Sequence, residues 1–269
     1  MTQLNQKTHR KPKIIVGEID HERLTGLATT ALERIPEVAE ELLANGAADM
    51  VSMARPFLAD PEWVRKAEAG LAKEINTCIA CNQACLDHTF KNKRASCLVN
   101  PRACHETELR YLPTLHKKKL AVVGAGPAGL AAATVAAERG HDVTLFDADD
   151  KVGGQFNIAR QIPGKEDFAE TLRYFSTMLE KFNVKVQLNT YVKADDLQGF
   201  DEVIVATGIV PRTPGIPGVE HDKVLSYLDV IAHKKPVGKS VAVIGAGGIG
   251  FDVSEYLTHS DASNDQQQW

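Results

Sequence analysis

Four textures of apolar and polar positions follow one another along the chain. Residues 1–48 are largely polar, and the run Pro36–Asn45 (PEVAEELLAN) sets its apolar positions at helical spacing, which predicts a helix. Asp49–Met53 reads as a short strand, Ala54–Pro61 as a loop, and a helix is expected from near Pro61, with Asp60 as its N-cap. Residues 76–119 are rich in turn formers, basic side chains and cysteine. From Leu120 onward, short apolar runs alternate with glycine turns and helical stretches, the texture of a parallel α/β sheet.

Leu120–Gly129 (LAVVGAGPAG) is a buried strand running into G-x-G-x-x-G, followed by an Ala-rich helix over residues 129–139 and a second strand, His141–Asp147. The three glycines have separable tasks. Gly124 permits the tight turn, Gly126 lets the backbone approach a pyrophosphate, and Gly129 lets helix and strand pack closely. Pro127 and Ala128 open the helix, whose N-terminal N–H groups and partial positive charge suit phosphates. Asp147, 18 residues after Gly129, ends the second strand where a carboxylate can accept bonds from a ribose. One G-x-G-x-x-G alone is a weak signal. Strand, helix, second strand and terminal acid in order make it a dinucleotide site.

The pattern returns in Val241–Gly250 (VAVIGAGGIG), where Gly245, Gly247 and Gly250 repeat the spacing. A second strand, a second helix and a polar loop over Thr258–Trp269 are expected there. One strand and one helix do not make a nucleotide domain.

All five cysteines fall between residues 78 and 104. In a reducing compartment, clustered thiols more often bind metal or do redox chemistry than form disulfides. The spacing Cys78-x2-Cys81-x3-Cys85-x11-Cys97 bunches three thiols and brings a fourth from further on, which fits a [4Fe–4S] cubane with one thiolate per iron. Zinc, which usually takes two C-x2-C pairs or histidine partners, and no metal at all are the alternatives. Cys104 reads as a buried free thiol.

Composition narrows the classes further. The 269 residues carry a formal net charge of -4, with 43% hydrophobic and 25% charged positions, as in an ordinary globular protein. That balance gives no electrostatic case for nucleic acid. The longest apolar runs are too short to span a bilayer. No apolar stretch follows the basic N-terminus, so no secretory leader is read and a cytoplasmic location is expected.

Ala48–Asp60 (ADMVSMARPFLAD), Cys78–Asp87 (CIACNQACLD), Cys97–Cys104 (CLVNPRAC) and Ile162–Lys165 (IPGK) together resemble bacterial NADPH-dependent 2,4-dienoyl-CoA reductase. The wider group includes trimethylamine dehydrogenase and other flavin oxidoreductases with an old-yellow-enzyme-type barrel. The resemblance runs from about Pro36 to about Leu257; residues 1–35 do not follow it, and Leu32 stands where the family has an FMN-holding arginine. It implies an α/β fold in four pieces. These are a divergent N-terminus with the last strand–helix unit of a TIM barrel (residues 1–75), an iron–sulfur segment (76–119), a Rossmann-like FAD fold (120–235) and the truncated start of an NAD(P)H fold (236–269).

By the same resemblance, Gly154 and Gln155 of Val152–Gln155 lie along the FAD pyrophosphate, and Ala206 and Gly208 of Ile204–Gly208 close near its ring. Lys165 reaches the FAD phosphates and Val192 offers its backbone to the adenine; the plain alternatives are a loop lysine and a buried strand valine. Ala54 and Arg55 would contact an FMN phosphate at the barrel mouth. The second glycine set would serve NADPH. Electrons would pass from NADPH through FAD and the cluster to FMN, and on to a dienoyl-CoA in the β-oxidation of unsaturated chains. The family's active-site tyrosine and histidine have no counterpart in this sequence, so no catalytic residue is named. An internal piece of a longer enzyme is expected, inactive alone. Docking on a separate barrel protein, favoured by eight Lys/Arg against three Asp/Glu over Asp87–Lys119, and a non-functional gene remnant are the other readings.

Overall fold

The computed structural model describes residues 35–46 and 49–259. Leu32, Ala48 and the tail beyond residue 259 lie outside them.

The centre of the molecule is a parallel four-stranded sheet. Its strands are β1 (Lys119–Val123), β2 (Asp142–Phe146), β3 (Lys185–Gln187) and β4 (Glu202–Val205). They lie in the order β3-β2-β1-β4, with Ala121 opposite both Thr144 and Val203. β1 and β2 are the middle strands and are apolar almost without a break, as strands covered on both faces must be. Leu145, Leu130 and Val122 are fully buried, each contributing about 1.5–3 kcal/mol by taking its side chain out of water.

Eight α-helices accompany the sheet among the described residues. Numbered in chain order they are α1 (Ile35–Ala44), α2 (Arg55–Ala59), α3 (Trp63–Glu68), α4 (Leu86–Phe90), α5 (Pro127–Glu138), α6 (Phe156–Ala159), α7 (Phe168–Lys181) and α8 (Gly248–Thr258). The helix predicted over Pro36–Asn45 is α1. α5 and α7 supply Leu130, Ala133, Leu172 and Leu179 to the core of the sheet. A second, smaller core joins Ile162 to Val230 and Ile231 of a π-helical turn (Leu228–Ala232), and Val253, Tyr256 and Leu257 of α8 pack against it.

Several expectations are corrected. Asp49–Met53 is not a strand: no described strand lies beside it, and extended backbone without a ladder partner forms no sheet. The loop expected over Ala54–Pro61 contains α2, and the next helix begins at Trp63. Asp60 is not the N-cap of that helix; it ends α2 and accepts the Glu62 N–H. Val241–Ile244 is likewise unpaired, although the helix after it forms. Thr258, assigned to a polar loop, closes that helix. Cys104 is free but exposed.

Candidate functional site

The first glycine loop is built by its neighbours. Gly124 has φ +107°, a left-handed conformation in which a side chain is strained, and a Cβ there would run into the Ala206 carbonyl. A Cβ on Gly129 would strike the Gly124 carbonyl oxygen, so only glycine lets α5 approach β1 this closely. Around Gly126, by contrast, a Cβ would find no atom within 4 Å. That leaves an open cradle at the N-terminus of α5, where Pro127 fills the first helical position and Ala128 is exposed.

The residues predicted to share this site do come together. The Gly153 N–H donates to the Ala125 carbonyl at 2.8 Å, and a Cβ on Gly154 would sit 3.1 Å from the Gly126 α-carbon. Gln155 Oε1 accepts the Tyr227 hydroxyl at 3.1 Å. Asp147 follows β2, and its carboxylate accepts the N–H groups of Ala125 and Asp149. Ala206 donates its N–H to the Val123 carbonyl, which brings the segment ending at Gly208 beside the first turn. Val192 is half-buried in the loop after β3, close to Thr190, whose N–H reaches the Asp147 carbonyl. Lys165 goes elsewhere: its Nζ pairs with Asp252 of α8 at 2.5 Å. An open Gly126 with backbone donors at a helix start fits a dinucleotide diphosphate.

The second site is a small, partly open pocket. Cys78, Cys81, Cys85 and Cys97 all line it, together with Arg55 and Asn82 and the apolar Leu58, Ile79, Leu98 and Val99. All four thiols are half-buried. Burial pushes the Cys78 and Cys97 thiols above their ordinary value; the backbone N–H of Ala80 opposes this at Cys78, and those of Val99 and Asn100 at Cys97. Ala80 and Asn82, on either side of Cys81, both have positive φ (51° and 55°). Such strain at a non-glycine residue persists only where the surroundings fix it. Among the described residues no group of three or more His, Cys, Asp or Glu side chains is placed to hold a metal ion as the side chains stand. The four thiols do line one pocket, and by donor type they could serve a cluster that takes one thiolate per iron.

A buried polar frame holds the pocket, and nothing in the sequence pattern announced it beyond the closeness of Asn100 to Cys97. Asp60, 3% exposed, accepts the Asn76 N–H at 2.8 Å and the Lys66 ammonium at 2.6 Å. The Asn76 side chain donates to the Val99 carbonyl, and the Asn100 side chain to that of Leu58, both at 2.8 Å. Thus α2, the approach to Cys78 and the turn after Cys97 are tied together. Arg55, expected at an FMN phosphate, is exposed and donates to Asn82 Oδ1 at 2.9 Å on the pocket rim. Ala54, also exposed, flanks it at the start of α2.

Residues 118–264, more than half of the chain, match the family described as "Pyridine nucleotide-disulphide oxidoreductase". The chain belongs to that family. Residues 13–74 match a second family, "NADH:flavin oxidoreductase / NADH oxidase family". Likeness to the barrel flavoproteins therefore starts at residue 13, well before the Pro36 limit read from sequence. Among curated relatives, the chain is 40% identical over 231 residues to a metal reductase of Desulforamulus reducens, covering 84% of this chain and 35% of that protein. It is 39% identical over 244 residues to an NADH oxidase of Thermoanaerobacter brockii, covering 87% and 37%. A solved 2-naphthoyl-CoA reductase complex with 2-naphthoyl-CoA superposes with a TM-score of 0.81 at 35% identity, over 88% of this chain and 38% of that one. The chain thus spans about a third of the length of the relatives it matches. These flavin oxidoreductases are its kin, and none of the three is named a dienoyl-CoA reductase. No described helix is long and apolar enough to cross a membrane.

Proposed function

We propose that this chain is the electron-transfer section of an NAD(P)H-dependent flavin oxidoreductase, holding FAD on the first glycine loop and a [4Fe–4S] cluster on Cys78, Cys81, Cys85 and Cys97. The observation that carries the reading is the pocket lined by all four thiols, in one molecule with a flavoprotein-type dinucleotide cradle. When bound, the two groups supply the exchange between two-electron and one-electron carriers.

The chain's own residues have defined tasks. Backbone N–H groups at the start of α5 would hold the FAD diphosphate at Gly126, with Gly154 and Gln155 contributing alongside. Asp147 orders the loop through Ala125 and offers the carboxylate for a ribose. Ala206 and Gly208 close the far side against Gly124. Leu58, Ile79 and Val99 would give a bound cluster an apolar wall, and Arg55 would place a positive charge beside its thiolates.

The substrate class is inferred from resemblance. A 2,4-dienoyl-CoA is supported by the sequence segments quoted above and by likeness to an enzyme named for reducing a different acyl-CoA. By the resemblance NADPH goes with Gly245, Gly247 and Gly250, but with Val241–Ile244 unpaired this loop is not expected to bind it in the chain alone. For FMN the fit is poor, because Ala54 and Arg55 are exposed and Arg55 is bonded to the cysteine loop; no step is derived through it. Docking on a separate barrel protein is favoured by the exposed apolar side chains of Met50, Val64 and Phe90 in the segment around the cysteines.

Anaerobic reconstitution followed by iron, sulfide and flavin assay tests the reading. About four irons with FAD are expected per chain, and no turnover of NADPH with a 2,4-dienoyl-CoA by the chain alone. A soluble, folded preparation that takes up neither group contradicts it.

A further inference from the structure

α7 has two opposed faces. One buries Thr171, Leu172, Met178 and Leu179. The other carries Glu170, Arg173 and Lys181, and these grip the residues that lead into Cys78. Arg173 Nη1 donates to the Lys73 carbonyl at 2.5 Å, and Nη2 to the Ile75 carbonyl at 2.8 Å and to Thr77 Oγ1 at 3.0 Å. Its Nε is held by Glu170 Oε2 at 2.6 Å. Lys181 pairs with Glu74. Ile75, Asn76 and Thr77 are all buried under this grip. The bonds from Arg173 close loops of 96–100 residues, so no local signal in the sequence announces them.

We propose that Arg173 is a positioning residue for the cysteine pocket. It acts through residues 73–77, fixing the backbone immediately before Cys78 to a helix of the dinucleotide fold, so that pocket and cradle keep one relative placement. The inference rests on the cysteine-pocket reading of the proposed function but names a residue outside both sites. The fan of donors is specific to arginine: a planar guanidinium bonds two carbonyls, a hydroxyl and a carboxylate at once, which a lysine ammonium cannot match in geometry. Glu170 neutralises the charge, so the grip holds without an uncompensated cation in a half-buried place.

The test compares wild type with Arg173→Ala and Arg173→Lys in the full chain. Hydrogen exchange of a peptide covering residues 73–81, measured before any reconstitution, should speed up by about tenfold or more in Arg173→Ala, the effect expected from losing charge-assisted bonds. Arg173→Lys should recover part of that protection. In reconstituted protein, iron should leave to a chelator faster by a similar factor in Arg173→Ala, while the FAD content and the exchange of β1 and β2 stay at wild-type values. Unchanged exchange over residues 73–81 overturns the proposal. So does loss of FAD and of β1–β2 protection together with the iron, because Arg173 would then serve the fold as a whole. If wild type takes up no iron, the cysteine-pocket reading fails, and the exchange measurement still decides the role of Arg173.

Discussion

The two glycine loops share a local conformation and differ in everything around it. Gly124 and Gly245 both have large positive φ, +107° and +120°. Gly126 and Gly247 both cap a helix with extended backbone. A Cβ on Gly129 or on Gly250 would strike the carbonyl of the first glycine of its own loop. Yet β1 is paired on both sides, with Val122 fully buried, whereas Val241–Ile244 pairs with no described strand and Ile244 is 78% exposed. The turn and the helix start are therefore local properties of G-x-G-x-x-G. The strand is not: its ladder and its burial must come from elsewhere in the molecule. A nucleotide site needs both, because the strand end and its neighbours form the walls.

The sharpest way to break this comparison is to make the same substitution twice. Gly129→Ala should cost about 3 kcal/mol or more and lower the melting midpoint by about 6 °C or more, with FAD retention lost. Gly250→Ala, with the same local clash, should cost under about 1 kcal/mol, because no sheet is disturbed. Equal losses in thermal melts would show the second loop to be as integrated as the first. Next in size, Asp147→Asn should weaken FAD binding by about tenfold while leaving the fold intact, since the anion that orders Ala125, and that is proposed to bind a ribose, is lost; a flavin fluorescence titration reads this. Lys165→Ala should leave FAD affinity within about twofold, since surface-accessible pairs contribute little, and should loosen α8 instead. A large loss of FAD affinity would return Lys165 to the phosphates.

The smallest effect concerns pH. Hydrogen bonds from the Lys235 ammonium and Ser226 hold the Asp229 carboxyl well below the usual carboxylate range. A carboxyl depressed in the folded state contributes stability above its unfolded pKa, near 4, and loses that contribution as the pH falls from there. Asp229 bonds Ser226 at the entrance of the turn that brings Val230 and Ile231 to α8. Mild acid should therefore raise hydrogen exchange in α8 before it does so in α5.

What could be read from the sequence follows the same division. Both glycine turns, the helices after them, β1, β2, Asp147 and the grouping of four cysteines were legible, because each depends on residues close in sequence or on a strong spacing. The strands assigned to Asp49–Met53 and Val241–Ile244 failed for want of pairing partners, although their composition is strand-like. Asp60, Asn76, Asn100 and Arg173 were invisible as a frame, because their bonds join segments far apart. The ion pair of Lys165 with Asp252 was missed for the same reason.

The most direct test of the central claim is a paired titration of the reconstituted chain with FAD and with NADPH, followed by calorimetry. The account predicts saturable FAD binding at one site, weakened by Asp147→Asn, and no saturable NADPH binding. Saturable NADPH binding abolished by a bulky substitution at Gly247, or no FAD binding by folded protein, would contradict it.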